Sequence, residues 1–98
     1  MTRAGTFRGT PVDHVVDVRT MIEFWLGHLD GAVNHPVDVV VDRLTGTAGV
    51  ERNARILVYC ASGARSAAAA AGLRQAGFTR VIDGGGMGAA ARDFRAGA

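Results

Sequence analysis

The stretch Ile56-Leu57-Val58-Tyr59 is the tightest constraint on how this chain folds. Four consecutive apolar residues, two of them β-branched, describe a short strand buried on both faces, and such strands belong to parallel sheets covered by helices. The rest of the chain supplies the partners. His14 to Arg19 reads as a strand, and Thr20 then caps a short helix through Leu26. Glu23 stands at the third helical position, as in a capping box, and Gly27 can end that helix. Gly31 to His35 reads as a brief second strand before Pro36 opens a helix over Val37 to Leu44, followed by a loop from Thr45 to Asn53. Ser66 to Ala76 is alanine-rich and has the highest helix propensity in the chain, with Gly77 at the expected left-handed cap. A last strand, Arg80 to Ile82, leads through Asp83-Gly84-Gly85-Gly86 into a helix over Met87 to Arg95. The expected architecture is a three-layer α/β domain: about five short, mostly parallel strands in a small central sheet flanked by helices. One such domain is expected over residues 12–98, behind a flexible N-terminus at 1–11.

Composition narrows the function classes. A chain of 98 residues supports one core and not two. Its single cysteine cannot close an internal disulfide, and with three histidines it does not make a structural zinc set. His14 and His35 have no ligand spacing, so neither a metal nor a cofactor is expected. A lone thiol suits a reducing compartment, and the chain reads as cytoplasmic. All eleven basic residues are arginine, scattered along the chain, and the net charge is only +2. Without a cationic run or interleaved aromatics, a nucleic-acid partner is not expected. Met1 to Pro11 carries Arg3 and Arg8 but no apolar stretch, and the longest apolar tract, Ala67 to Ala71, is far short of the roughly 20 residues a bilayer requires. The chain therefore reads as having neither a secretory signal nor a membrane partner.

The chemistry is concentrated in Cys60-Ala61-Ser62-Gly63-Ala64-Arg65-Ser66, between the buried strand and the start of a helix. Ligands bind at that end of an open parallel sheet. Small side chains at 61–64 let the backbone curl, turning several N–H groups toward the cysteine sulfur and toward an anion above it. The positive end of the following helix favours thiolate over thiol. Taken singly these residues are ordinary: Cys60 can be a packing residue, Gly63 a turn residue and Ser66 an N-cap. Their conjunction is what points to a nucleophile. Asp17, Arg19 and Glu23 are candidates for lining the site or supporting the loop. Gly84-Gly85-Gly86-Met87-Gly88-Ala89 matches a dinucleotide fingerprint in letters but not in context, since the chain ends before an acidic partner. These glycines are expected to let the backbone pass close to the Cys60 loop.

Cys60 to Ser66 resembles the active-site loop of rhodanese-like sulfurtransferases, C-x-x-G-x-R-S. Val16-Asp17-Val18-Arg19 is similar to that family's first core strand. Glu23-Phe24 and Gly27-His28-Leu29-Asp30-Gly31-Ala32-Val33-Asn34 are similar to its E-[FY]-x-x-G-H-[IL]-x-G-A-x-N element. Gly77-Phe78 and Gly85-Gly86 stand where its later glycine marks stand, so the resemblance covers about residues 12 to 95. It implies a rhodanese-like fold and transfer of sulfane sulfur through a Cys60 persulfide, with Ala61, Ser62, Gly63, Ala64, Arg65 and Ser66 holding the substrate. The implied partners are a small anionic donor such as thiosulfate and an acceptor, either cyanide or a thiol, a protein thiol included. The C-x4-R spacing is the family's sulfur-handling length, whereas related phosphatases use C-x5-R. A sulfur carrier or interaction module without turnover is the alternative reading, and a small phosphatase a weaker one. Arg65 either attracts the anion or bridges to Glu23 or Asp17, and His28 is implied to be a turn residue. Trp25 reads as a core residue or an interface anchor. The chain departs from the family in its shortened N-terminal stretch and in Ala90, where a tryptophan is common.

Overall fold

The apolar run forms the middle of a four-stranded parallel sheet. The computed structural model describes residues 3–97. In chain order its elements are β1 (Gly5–Phe7), β2 (Thr10–Val12), β3 (His14–Asp17), α1 (Met21–Trp25), β4 (Val33–Asn34), α2 (Val40–Asp42), β5 (Arg55–Cys60), α3 (Ala64–Gln75), β6 (Arg80–Gly86), α4 (Met87–Asp93) and β7 (Phe94–Ala96). The parallel sheet runs β4-β3-β5-β6 and a second, antiparallel sheet runs β2-β1-β7.

Strand β5 is apolar throughout because both of its faces meet a core. Ile56, Val58 and Cys60 point into a cluster with Val16, Leu44, Ala69, Leu73 and Phe78. Leu57 and Tyr59 alternate to the other face, against Phe7, Val12, Val15, Ala90 and Phe94. Each large side chain buried in this way stabilises the fold by about 1.5–3 kcal/mol. Ala90 is fully buried, so the core is closed at the position where the resembled family commonly has a tryptophan.

The expected α/β order of elements is present, with four differences. First, residues 5–12 carry strand structure. They form a hairpin whose two-residue turn, Arg8-Gly9, has positive φ at both positions (51° and 79°), as type I′ hairpin turns do. Arginine is an unusual occupant of that conformation. It is tied from both ends, its backbone N–H to the Asp93 carbonyl at 3.0 Å and its Nε to Asp93 Oδ2 at 2.9 Å. Second, the helix expected from Val37 begins only at Val40, then widens into a π-helical turn over Arg43–Thr47 that carries it past Leu44 into the start of the expected loop. Third, β6 runs on through Gly86 instead of stopping at Ile82. Fourth, the last helix ends at Asp93, and Phe94–Ala96 pairs antiparallel with β1. No helix among the described residues is long and apolar enough to cross a membrane.

Gly5 shows why this terminal pairing is selective. A Cβ there would meet the Arg95 carbonyl oxygen at 2.2 Å and the Phe94 ring at 2.9 Å. Gly5→Ala is therefore expected to destabilise the protein by about 1–3 kcal/mol, as overpacking does. Gly88→Ala, in α4 with nothing within 4 Å of the added carbon, should instead stabilise by about 0.5–1 kcal/mol. Urea unfolding midpoints of the two variants check the pair, and a neutral Gly5→Ala would mean that β7 does not dock on β1.

Candidate active site

At the C-terminal end of β5 the chain turns directly into α3, and the turn is built around the Cys60 sulfur. Gly63 is the N-cap of α3, with φ of 107°, a conformation that costs glycine little and other residues more. It offers no side chain to cap the helix. The sulfur takes that role: Sγ accepts the Gly63 N–H at 3.0 Å and the Ser66 N–H at 3.3 Å. Helix α3 thus begins two residues earlier than its sequence suggests, and Ser66 lies inside the first turn and not at the N-cap. The Ser66 hydroxyl lies 3.5 Å from Sγ and 3.0 Å from the Gly63 carbonyl oxygen, and its one proton can turn to either acceptor.

These contacts decide the state of the thiol. Burial pushes the Cys60 thiol up, but the Ser66 hydroxyl and the Ser66, Gly63 and Ser62 amides together push it further down. The net direction is below the ordinary thiol range, toward thiolate. Cys60 is fully buried beneath its own loop, whose Ala61, Ser62 and Ala64 are exposed at the rim.

Close behind the loop runs the end of β6. A Cβ on Gly86 would stand 2.7 Å from the Ala61 carbonyl oxygen, and Gly85 has φ of 74°. The register between β5 and β6 shifts between Val58 and Cys60, where Cys60 pairs with Gly86. The glycine run thus serves close approach to the loop, as the sequence context suggested.

The three carboxylate and guanidinium candidates outside the loop fall into two pairs. Glu23 of α1 forms a two-pronged bridge to Arg65, Nη1 to Oε1 at 2.7 Å and Nη2 to Oε2 at 3.0 Å. Both Arg65 terminal nitrogens are engaged there, which is the scaffolding arrangement. Asp17 and Arg19 pair with each other instead, buried, with the shortest contact 2.6 Å. Hydrogen bonding to Asp17 chiefly raises the Arg19 pKa, so this guanidinium stays charged. Arg19 also donates to the Gly27 carbonyl at 2.6 Å, fixing the exit of α1. The pair thereby supports the segment that carries Glu23 and does not reach the loop itself.

Two contributors went unnoticed in the sequence. Asn34 Nδ2 donates to the carbonyls of Asp17 and Arg19, both at 3.0 Å, tying β4 to the end of β3. The Tyr59 hydroxyl accepts the Leu29 N–H at 3.0 Å. Asn34 had a signal, as the last letter of the quoted element, while Tyr59 read only as an apolar strand residue. His28 stacks on Phe24 with ring centroids 3.7 Å apart, and its Nδ1 lies 2.8 Å from the Phe24 carbonyl. It holds the turn after α1. Trp25 is not a core residue, being largely exposed.

The bridge predicts a titration. Hydrogen bonding from Arg65, then from the Thr20 amide, lowers the Glu23 pKa from 4.5 to about 2. Because the folded value is depressed, the stabilisation by this bridge is fully present above the ordinary value and is lost as pH falls through about 2. Carboxyl carbon NMR should show Glu23 titrating in that acid range, and Arg65→Met should return it toward 4.5. A normal Glu23 in the wild type would contradict the bridge. Cys60 provides the second titration. The pH profile of its alkylation by iodoacetamide should have its inflection below that of an ordinary thiol, and Ser66→Ala should move the inflection upward.

With this geometry in hand, the comparisons with known proteins are specific. The sequence profile of the Rhodanese-like domain family matches residues 5–90. The thiosulfate sulfurtransferase PspE of Escherichia coli is 35% identical over 75 residues, 76% of this chain and 71% of that protein. A sulfurtransferase of Allochromatium vinosum is 35% identical over 69 residues, 70% of this chain and 62% of its own length. A solved structure described as a rhodanese with anions from E. coli superposes with a TM-score of 0.73 at 34% identity, over 78% of this chain and 88% of that one. The match begins inside the N-terminal hairpin and runs through the cysteine loop to α4, and on it the chain belongs to the rhodanese-like domain family.

Proposed function

We propose that this protein is a sulfurtransferase that moves sulfane sulfur from a small anionic donor to a thiophilic acceptor through a persulfide on Cys60. The observation that carries the reading is the convergence of the Gly63 and Ser66 amides on a buried sulfur at the head of α3. Relatives named thiosulfate sulfurtransferase and sulfurtransferase support the same reaction class.

The chemistry follows in two displacements. The Cys60 thiolate attacks the outer sulfur of a donor such as thiosulfate. A new S–S bond forms at Sγ, the donor's own S–S bond breaks, and sulfite leaves with the bonding pair. The persulfide anion on Cys60 lies where the loop N–H groups of residues 61–66 and the α3 N-terminus stabilise negative charge. An acceptor nucleophile, cyanide or a thiolate, then attacks the outer sulfur, and the pair returns to Sγ. No oxidant or reductant is consumed. Arg65 acts mainly through its Glu23 bridge, holding the loop open to a monatomic sulfur, and adds long-range attraction for the anionic donor. Asp17 and Arg19 act at one remove by fixing the exit of α1.

A carrier that holds sulfur without turning over shares the first displacement and differs only in the second. Intact mass spectrometry after incubation with thiosulfate separates the cases. The wild type should gain about 32 Da, one sulfur atom on the thiol, and Cys60→Ser should not. Cyanide should then remove the added mass and yield thiocyanate over many cycles. An equal adduct on both proteins, or none on either, overturns the reading. An adduct that cyanide and low-molecular-weight thiols do not discharge identifies a carrier.

A further inference from the structure

Helix α1 has no buried residue, and its outward face is apolar. Met21, Ile22, Trp25 and Leu26 are 64%, 71%, 82% and 84% exposed, and together they line a shallow depression of about 350 Å³. They are the two i, i+4 pairs of one short helix, so they form one continuous patch. No core contact explains them. Phe24, on the opposite side of the helix, packs against the core cluster beside Tyr59, and the Phe24–His28 stack closes the turn that follows, so the patch cannot rotate inward. Its only charged neighbour on the helix, Glu23, is already engaged by Arg65 of the Cys60 loop at 2.7 and 3.0 Å. The patch is therefore neutral and stands beside the reactive loop.

We propose that this face of α1 is the docking surface for a protein acceptor, one that presents a protruding cysteine flanked by apolar side chains. The proposal rests on the sulfurtransferase reading and names the acceptor's class. Three observations select this occupant. The chain has one cysteine, so a Cys60 persulfide has no internal thiol to resolve it and its sulfur leaves to another molecule. Cys60 is buried below the loop rim, so among thiols carried on a protein only a protruding one reaches it. The four side chains expose on the order of 600 Å², at the upper end of the largest apolar patch on a typical monomer and often functional at that size. That area is short of the roughly 800 Å² per partner of stable complexes and suits a brief encounter better than a permanent dimer. A small acceptor such as cyanide needs no such surface.

In the transfer, the acceptor thiolate attacks the outer sulfur of the Cys60 persulfide. An S–S bond forms on the partner, the Cys60 Sγ–S bond breaks, and the electron pair returns to Sγ as thiolate. The partner leaves as a persulfide, and no external redox reagent is involved.

The test uses two short synthetic peptides, each with one central cysteine, flanked in one by leucine and phenylalanine and in the other by serine and glycine. The thiosulfate-loaded wild type should pass sulfur to the apolar peptide at least about fivefold more efficiently, through a lower KM, as loss or gain of an interface anchor changes binding. Trp25→Ser combined with Leu26→Ser should remove that preference while leaving cyanide turnover within about twofold, since both side chains lie outside the reacting loop. Equal use of the two peptides by the wild type, or an undiminished preference in the double variant, overturns the proposal. Trp25 is the sole tryptophan, so its emission reports seating without chemistry. Serine-for-cysteine versions of the peptides should shift it to the blue for the apolar sequence only, and Leu26→Ser should weaken that shift. If no persulfide forms, the functional reading fails and this emission titration alone decides the docking surface. Sedimentation showing that the protein self-associates through Trp25 would instead assign the patch to a second copy and overturn the proposal.

Discussion

The organisation of this protein depends on one sulfur atom serving as the cap of a helix. Helix α3 begins at a glycine that offers no side-chain acceptor, and the first amides of a helix need acceptors. Cys60 supplies one at the end of β5, so the proposed nucleophile and the helix start are the same structural event. A sulfur in that position sees oriented N–H dipoles that favour its anion, and each contact that builds the turn also lowers the cost of ionising the thiol. The contacts that stabilise the turn are thus the same ones that lower the thiol pKa.

The surrounding architecture holds that turn from three sides. Below it, β5 is fixed by cores on both faces of the sheet. Behind it, Gly86 lets β6 approach the Ala61 carbonyl more closely than any side chain permits. In front, Arg65 is locked to Glu23, which makes a five-residue helix part of the active loop's frame. The Asp17–Arg19 pair extends the frame one layer outward by gripping the chain just past α1. An apolar face on that same helix is thereby held at a fixed place relative to the sulfur, which gives an exposed tryptophan a functional setting that packing alone does not provide.

Much of this was legible from residues alone because it is local. The capping box of Thr20 and Glu23, the buried β5 run, the small-residue loop and the alanine-rich helix are each defined within a few positions. The N-terminal hairpin was not legible. Arg8-Gly9 is a poor turn signal by composition, and it holds only because Asp93, 85 positions away, binds both the backbone and the side chain of Arg8. The C-terminal strand was missed for the same reason. Phe94, Arg95 and Ala96 extend a helical pattern until β1 offers a pairing edge, and Gly5 is the residue that lets them approach.

By itself the sequence determined the class of fold, the position of the proposed nucleophile and the length of its loop, because hydrophobic period, glycine placement and helix propensity act over short spans. Tertiary structure alone decided which charges meet. Arg65 had two carboxylates open to it and took Glu23, since the sheet brings α1 alongside the loop while Asp17 is already held by Arg19. It likewise decided that Trp25 faces solvent and Phe24 the core, a choice that rests on how one helical turn is rotated against the sheet. Such choices depend on contacts between distant segments, whose relative placement exists only once the two cores have closed on either side of β5.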